Sequence, residues 1–193
     1  MSRLTTTLVG VGVVLLCIGA PIAFAFHLQA ETHNFHVVKE GVLYRSGQIT
    51  LFGLKHLIHD YHIRTVVTLR DAKVSGETPP NKNEEDYCLR EEINYVRLSP
   101  RHWESIEGPP PVDENVEKFR QVMSDPANYP VLVHCTAGIH RTGAYCAIYR
   151  MEHDHWSNGQ AIAEVKAFGY TNLEDEEDIL GYLEHYQPTW KAR

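Results

Sequence analysis

Val131-Leu132-Val133-His134-Cys135-Thr136-Ala137-Gly138-Ile139-His140-Arg141-Thr142-Gly143 is the stretch that decides the architecture. Its opening run is apolar and β-branched, follows Asn128-Tyr129-Pro130, and predicts a short buried strand. Ala144, Cys146, Ala147, Ile148 and Met151 predict a helix that Thr142 opens. Between the strand's end and the helix's start, Cys135 and Arg141 stand in the pattern C-x5-R. A loop in that position is a ready anion site. Its successive backbone N–H groups point inward, and the helix N-terminus adds partial positive charge. Arg141 brings a planar fork that can bind two phosphate oxygens at once. The same field favours Cys135 as a thiolate, the form that attacks. Gly138 lets the chain turn tightly with no Cβ in the cradle.

These residues carry a resemblance. His-Cys-x-x-Gly-x-x-Arg-Thr-Gly resembles the signature of the cysteine-dependent protein tyrosine phosphatase superfamily. Within it, the short chain and His140-Arg141-Thr142-Gly143 are most similar to the atypical dual-specificity phosphatases. The likeness runs from Tyr44-Arg45-Ser46-Gly47-Gln48 through Val66-Val67-Thr68-Leu69-Arg70 to the helices after Gly143. It implies an α/β fold, a central mostly parallel sheet of about five strands flanked by helices. It also implies hydrolysis of phosphomonoesters, such as phosphotyrosine, phosphoserine or phosphothreonine in a protein, through a phosphocysteine. Cys135 would attack phosphorus. Arg141 and the amides of Thr136, Ala137, Gly138, Ile139, His140 and Arg141 would hold the phosphate. His134 would orient the loop, and Thr142 would assist departure of the thiolate in the second step. No metal cofactor is implied, because Arg141 and the amides supply the charge stabilisation.

The resemblance leaves the leaving-group acid open. Relatives usually present an Asp from a mobile loop at the position of Ser99–Val112, and that loop proper holds none here. Glu107, followed by Gly108 and a run of prolines, is the expected acid, with Glu104 and Asp113 as alternatives. Asp113 also reads as the cap of the next helix. Inositol phosphates or phosphoinositides are the alternative substrates, although Ile139 stands where such relatives often carry Lys. A non-catalytic phospho-binding module is a second alternative, which intact Cys135 and Arg141 oppose. A rhodanese-like sulfurtransferase would not require the Arg-Thr-Gly continuation. An arsenate reductase would need relay cysteines, and none is well placed.

Without its N-terminal segment the 193-residue chain suits one α/β domain, residues 31–193. The formal charge of −7 argues against a nucleic-acid partner but not against an anionic substrate, since a phosphate pocket is a local field. Leu4–Phe26 carries no charge and predicts a single-pass membrane anchor within residues 1–30. The alternative is a signal peptide cleaved near Ala23-Phe24-Ala25, with export of the rest. Arg3 on one side, and Lys39 and Arg45 on the other, give the positive-inside rule no clear vote. Cys88, Cys135 and Cys146 are no disulfide framework. Cys88 and Cys146 read as core residues, Cys88 with a minor reading as a disulfide partner that protects Cys135.

In the rest of the chain, His36–Val38 and Val42–Arg45 predict two strands around a tight turn, and Thr50 caps a helix reaching His62. His56, His59 and His62 recur at a spacing that rotates around that helix, so they read as a solvated face and not as metal ligands. Thr65–Leu69 and Tyr95–Leu98 predict strands, with a helix over Glu84–Glu92 between them. Ser157 caps a late helix that Gly169 ends, and the acidic run Glu174–Asp178 opens the last one.

Overall fold

The computed structural model describes residues 12–22, 32–72, 74 and 76–192. Its centre is a five-stranded sheet in the order β1-β2-β5-β3-β4. The strands are β1 (His36–Lys39), β2 (Leu43–Ser46), β3 (Thr65–Thr68), β4 (Asn94–Arg97) and β5 (Val131–His134). β2, β5, β3 and β4 run parallel, whereas β1 is antiparallel to β2. The sheet is therefore mixed, where the sequence predicts a mostly parallel one. The cause is the short reversal at Gly41 (φ +70°), where Val42 N–H donates to Lys39 O; a tight turn can only join antiparallel strands.

Helices cover both faces. Residues 12–22 form α1, followed by α2 (Leu51–Tyr61), α3 (Lys82–Arg90), α4 (Asp113–Ser124), α5 (His140–His153), α6 (Asn158–Ala167) and α7 (Glu177–His185). Alternation along the strands divides the core. Leu43, Val67, Val131 and Val133 pack towards α4–α7, while Tyr44, Val66 and Leu132 pack towards α2 and α3. α5 is the most enclosed helix, with every residue from Thr142 to Tyr149 buried. Gly143 permits its close approach to α6, since a Cβ there would stand 3.1 Å from Val165 Cγ1.

Local signals place most helix ends. Thr50 accepts from Gly53 N at 3.0 Å, and Ser157 with Gln160 forms a capping box. His62 adopts a left-handed conformation at the end of α2, and Gly169 (φ +98°) follows α6. Two expectations shift. α5 begins at His140, ahead of Thr142. Asp113 lies inside the first turn of α4 instead of capping it, and its carboxylate accepts the Tyr182 hydroxyl at 2.7 Å.

The membrane expectation is corrected. Among the described residues no helix is long and apolar enough to cross a membrane. A single-pass anchor over residues 4–26 is therefore not supported. The remainder of that segment, with the Ala23-Phe24-Ala25 cleavage reading, lies outside the described residues.

Candidate active site

β5 is the middle strand, so the loop leaving its C-terminal end emerges between the ends of β2 and β3. Ligands in open α/β sheets gather at such a place. Both neighbours hold the loop. Leu69 N–H donates to His134 O and Gln48 N–H donates to Thr136 O, each at 2.8 Å. Asn34 Nδ2 donates to Ala137 O at 3.0 Å, and Arg45 Nη2 donates to Gly138 O at 2.6 Å. Ile139 O accepts Gly143 N–H at 2.8 Å as the helix begins.

Every carbonyl from His134 to Ile139 except that of Cys135 is thus tied to a partner outside the concavity. In a planar trans peptide the N–H lies opposite its C=O. The following amides are therefore turned to the inner side, where Gly138 N–H reaches Cys135 Sγ at 3.2 Å. Gly138 is indispensable to that path. Its φ is +74°, and a Cβ would stand 2.4 Å from Gly47 N. Gly47 is required for the same contact, for a Cβ there would meet Ala137 O at 2.9 Å.

The side chains predicted from the sequence divide into those at this loop and those away from it. Cys135 is buried at the base of the loop. Arg141 donates through Nη1 to Leu69 O and lines a cavity of about 520 Å³ with Thr136, Arg70, Asp71, Glu77 and Thr78. Thr142 is fully buried, and its hydroxyl has no hydrogen-bond partner among the described residues. His140 stacks on Tyr170 with centroids 4.5 Å apart and stands 3.8 Å from Glu176, so its ring packs along the rim. Ile139 is half-buried beside the core below.

The acids stand elsewhere. Glu107 is exposed on the Ser99–Val112 loop, next to Gly108 (φ +81°), and does not line the cavity at Arg141. Glu104 and Asp113 line a separate cavity of about 550 Å³ between that loop and α7. The carboxylates beside Arg141 are Asp71 and Glu77. The Ser99 hydroxyl and the Ala72 amide both donate to Asp71, and the Ser99 bond leads in holding its carboxyl below the usual range.

Three contributors escaped the sequence reading. Glu84, on α3, accepts His134 Nε2–H at 2.8 Å, the Tyr95 hydroxyl at 2.9 Å and Asn81 Nδ2–H at 3.2 Å. Burial pushes its carboxyl up, yet the charge and hydrogen bond of His134, with the Tyr95 and Asn81 bonds, bring it below the ordinary 4.5. Nothing local marked Glu84 among its neighbouring acids. Arg45 did carry a signal: it shares the inward parity of Leu43 in a strand of otherwise buried residues, an unusual place for a cation. Arg70 also faces the site, its guanidinium pKa lowered by burial and then by neighbouring Arg141.

The histidines His56, His59 and His62 do not converge, and no group of three metal-binding side chains occurs among the described residues. Cys88 lies in the core cluster on the α2–α3 face, whereas Cys135 and Cys146 belong to the opposite cluster. The sheet separates Cys88 from the loop cysteine, which gives no support to a protective disulfide.

Comparison with known proteins agrees with this geometry. A family model described as a DSP-PTPase phosphatase fused to NAD+ kinase matches residues 22–179. The tyrosine-protein phosphatase-like protein OCA2 of Saccharomyces cerevisiae is 27% identical over 129 residues, covering 65% of this chain and 59% of that protein. The chain thus spans less than two thirds of the length of these first curated relatives. Among solved structures, the core catalytic domain of the S. cerevisiae PP-IP phosphatase SIW14, in complex with citrate, superposes with a TM-score of 0.60. It is 22% identical and covers 81% of this chain and 86% of its own. TpbA of Pseudomonas aeruginosa also gives 0.60, at 21% identity over 82% and 91% of the two chains. With more than half of its length matched by that model, and a signature loop built as described, the chain belongs to the DSP-PTPase family of cysteine-based phosphatases.

Proposed function

We propose that residues 31–193 form a phosphatase domain that hydrolyses phosphomonoesters through a cysteinyl phosphate. The observation that carries this reading is the tethering of the loop carbonyls, which turns amides and the Cys135 thiol towards one concavity. Cys135 attacks phosphorus in line, forming the S–P bond as the bond to the leaving oxygen breaks. The amides from Thr136 to Arg141 and the Arg141 guanidinium hold the equatorial oxygens, where charge develops. Arg141 first exchanges the Leu69 carbonyl for the phosphate oxygens. His134, held by Glu84, fixes the root of the loop. Thr142 lies buried under the loop and supplies the hydroxyl that aids thiolate departure when water cleaves the S–P bond.

Glu107 is the proposed proton donor to the leaving oxygen, brought in by closure of the Ser99–Val112 loop about Gly108. Its exposed position supports this role only in a closed form. For substrate, a phosphorylated side chain of a protein fits better than a polyphosphate. Asp71 and Glu77 stand in the same cavity wall as Arg70 and Arg141, and Ile139 adds no charge, so a second or third phosphate would meet carboxylates. TpbA has been crystallised with phosphotyrosine, and PTPMT1, at 19% identity, with PI(5)P, so related folds accommodate both kinds of ligand.

The deciding experiment compares initial rates on phosphotyrosine and phosphoserine peptides, an inositol polyphosphate and a phosphoinositide. Preference for the peptides is expected. Turnover of the inositol polyphosphate alone overturns the substrate reading, and turnover of none overturns the enzymatic one.

A further inference from the structure

Arg45 is a buried cation for which the reaction as written has no use. It is 1% exposed, among the largest fully enclosed side chains of the protein. No carboxylate pairs with it among the described residues, and its Nε has no hydrogen-bond partner. Its guanidinium donates to the Gly138 carbonyl, 2.6 Å from Nη2, and lies against the face of Phe168, 4.9 Å from the guanidinium carbon, with His36, Gly143 and Cys146 also close by. A charge enclosed in this way, with one neutral acceptor and one ring, is costly unless something nearby neutralises it. The negative charges this loop gathers are the Cys135 thiolate and the anion bound over it.

We propose that Arg45 is a positioning residue of the oxyanion site, acting from beneath the loop. It fixes the Gly138–Ile139 peptide with its amide inward, and it balances the second negative charge of a tetrahedral dianion. The proposal rests on the reading of the loop as an oxyanion cradle. One peptide group separates the guanidinium from the concavity, so the charge acts across packed protein with little screening. Holding the Gly138 carbonyl alone would need no charge, because an amide side chain can donate to it as well.

Sulfate and perchlorate separate these roles, for they share a tetrahedral shape but carry two charges and one. Calorimetric titration of the full chain with each anion needs no turnover. Arg45→Met and Arg45→Gln, both neutral, should weaken perchlorate about threefold and sulfate about tenfold, since the energy of a second charge adds to the first. Arg45→Lys should keep the wild-type ratio of the two affinities. Equal losses for both anions in the neutral variants would overturn the charge role, as would a fall in the ratio in a folded Arg45→Lys protein. Wild-type protein that binds neither anion would overturn the cradle reading itself. The two neutral variants differ in volume and hydrogen bonding, so a folding defect in one leaves the other to decide.

Discussion

His134 and Glu84, fifty residues apart in sequence, meet through a 2.8 Å hydrogen bond in a place closed to solvent on both sides. The bond joins the residue before Cys135 to α3 on the far layer, so the root of the loop is held from beyond the sheet. Removing the carboxylate leaves the imidazole without its partner, which for a buried pair costs about 3–5 kcal/mol. Glu84→Ala should therefore lower the stability of the domain by that order in urea unfolding.

The same pair sets an acid limit. Glu84 has a folded-state pKa below its unfolded value, so its contribution is fully present above about pH 4.5 and is lost as the pH falls through the folded pKa. Stability of the wild type should drop as the pH falls below 4.5, and Glu84→Gln should flatten that part of the profile. Thermal unfolding across the acid range measures the difference.

Cys135→Ser should abolish turnover by about 10³-fold or more, because no thiolate remains to form the S–P bond. Sulfate binding should persist, since amides make most of the cradle. Arg141→Lys should also be crippled, as a point charge cannot reproduce the planar fork. Turnover and calorimetry on the same preparations read both quantities.

Gly138→Ala tests the path of the loop directly. The added methyl group meets the Gly47 nitrogen at 2.4 Å in a left-handed conformation, a penalty of at least about 2 kcal/mol. Lower stability together with loss of anion binding is expected, whereas a variant that binds sulfate normally would contradict the tethered geometry.

Glu107→Gln should slow hydrolysis of a serine-type phosphate by about 10²–10⁴-fold and leave a nitrophenyl phosphate nearly unchanged, because only the poor leaving group needs the proton. Steady-state rates on the two substrates give the contrast. If both are unaffected, the acid lies elsewhere.

Burial pushes the thiol of Cys88 up to about 12 and that of Cys146 up to about 11. Both stay protonated and enclosed at pH 8, so iodoacetamide should leave them unmodified until the protein is unfolded. Peptide mass spectrometry before and after denaturant would record the change.

The parts of the molecule legible in the sequence are those whose cause is local. Val131–Gly143 announced a strand, an anion loop and a helix, and the Thr50 and Ser157 caps follow from hydroxyls next to amphipathic runs. Contacts between distant segments were not legible. The clasp of Asn34 on Ala137 and the Glu84–His134 bond depend on which strands become neighbours, and β5 enters between β2 and β3 only once the whole sheet exists. The antiparallel edge strand could have been inferred from the short turn at Gly41, which excludes a crossover. Glu107 shows the opposite limit. Its sequence neighbourhood resembles that of an acid loop, but only its reach towards Cys135 tests the role, and that depends on how far the loop travels.

The cradle at the end of β5 is made of main chain, clasped from behind by Asn34, Arg45 and the backbone at Gln48 and Leu69. Its side chains at Thr136, Ala137, Ile139 and His140 carry none of those clasps. These four side chains are thus not needed for the path of the loop, as Gly47 and Gly138 are, nor for the proposed chemistry, as Cys135 and Arg141 are. A library randomised at the four should yield many folded phosphatases with altered substrate preference, so the chemistry tolerates variation at the positions where specificity can be rewritten.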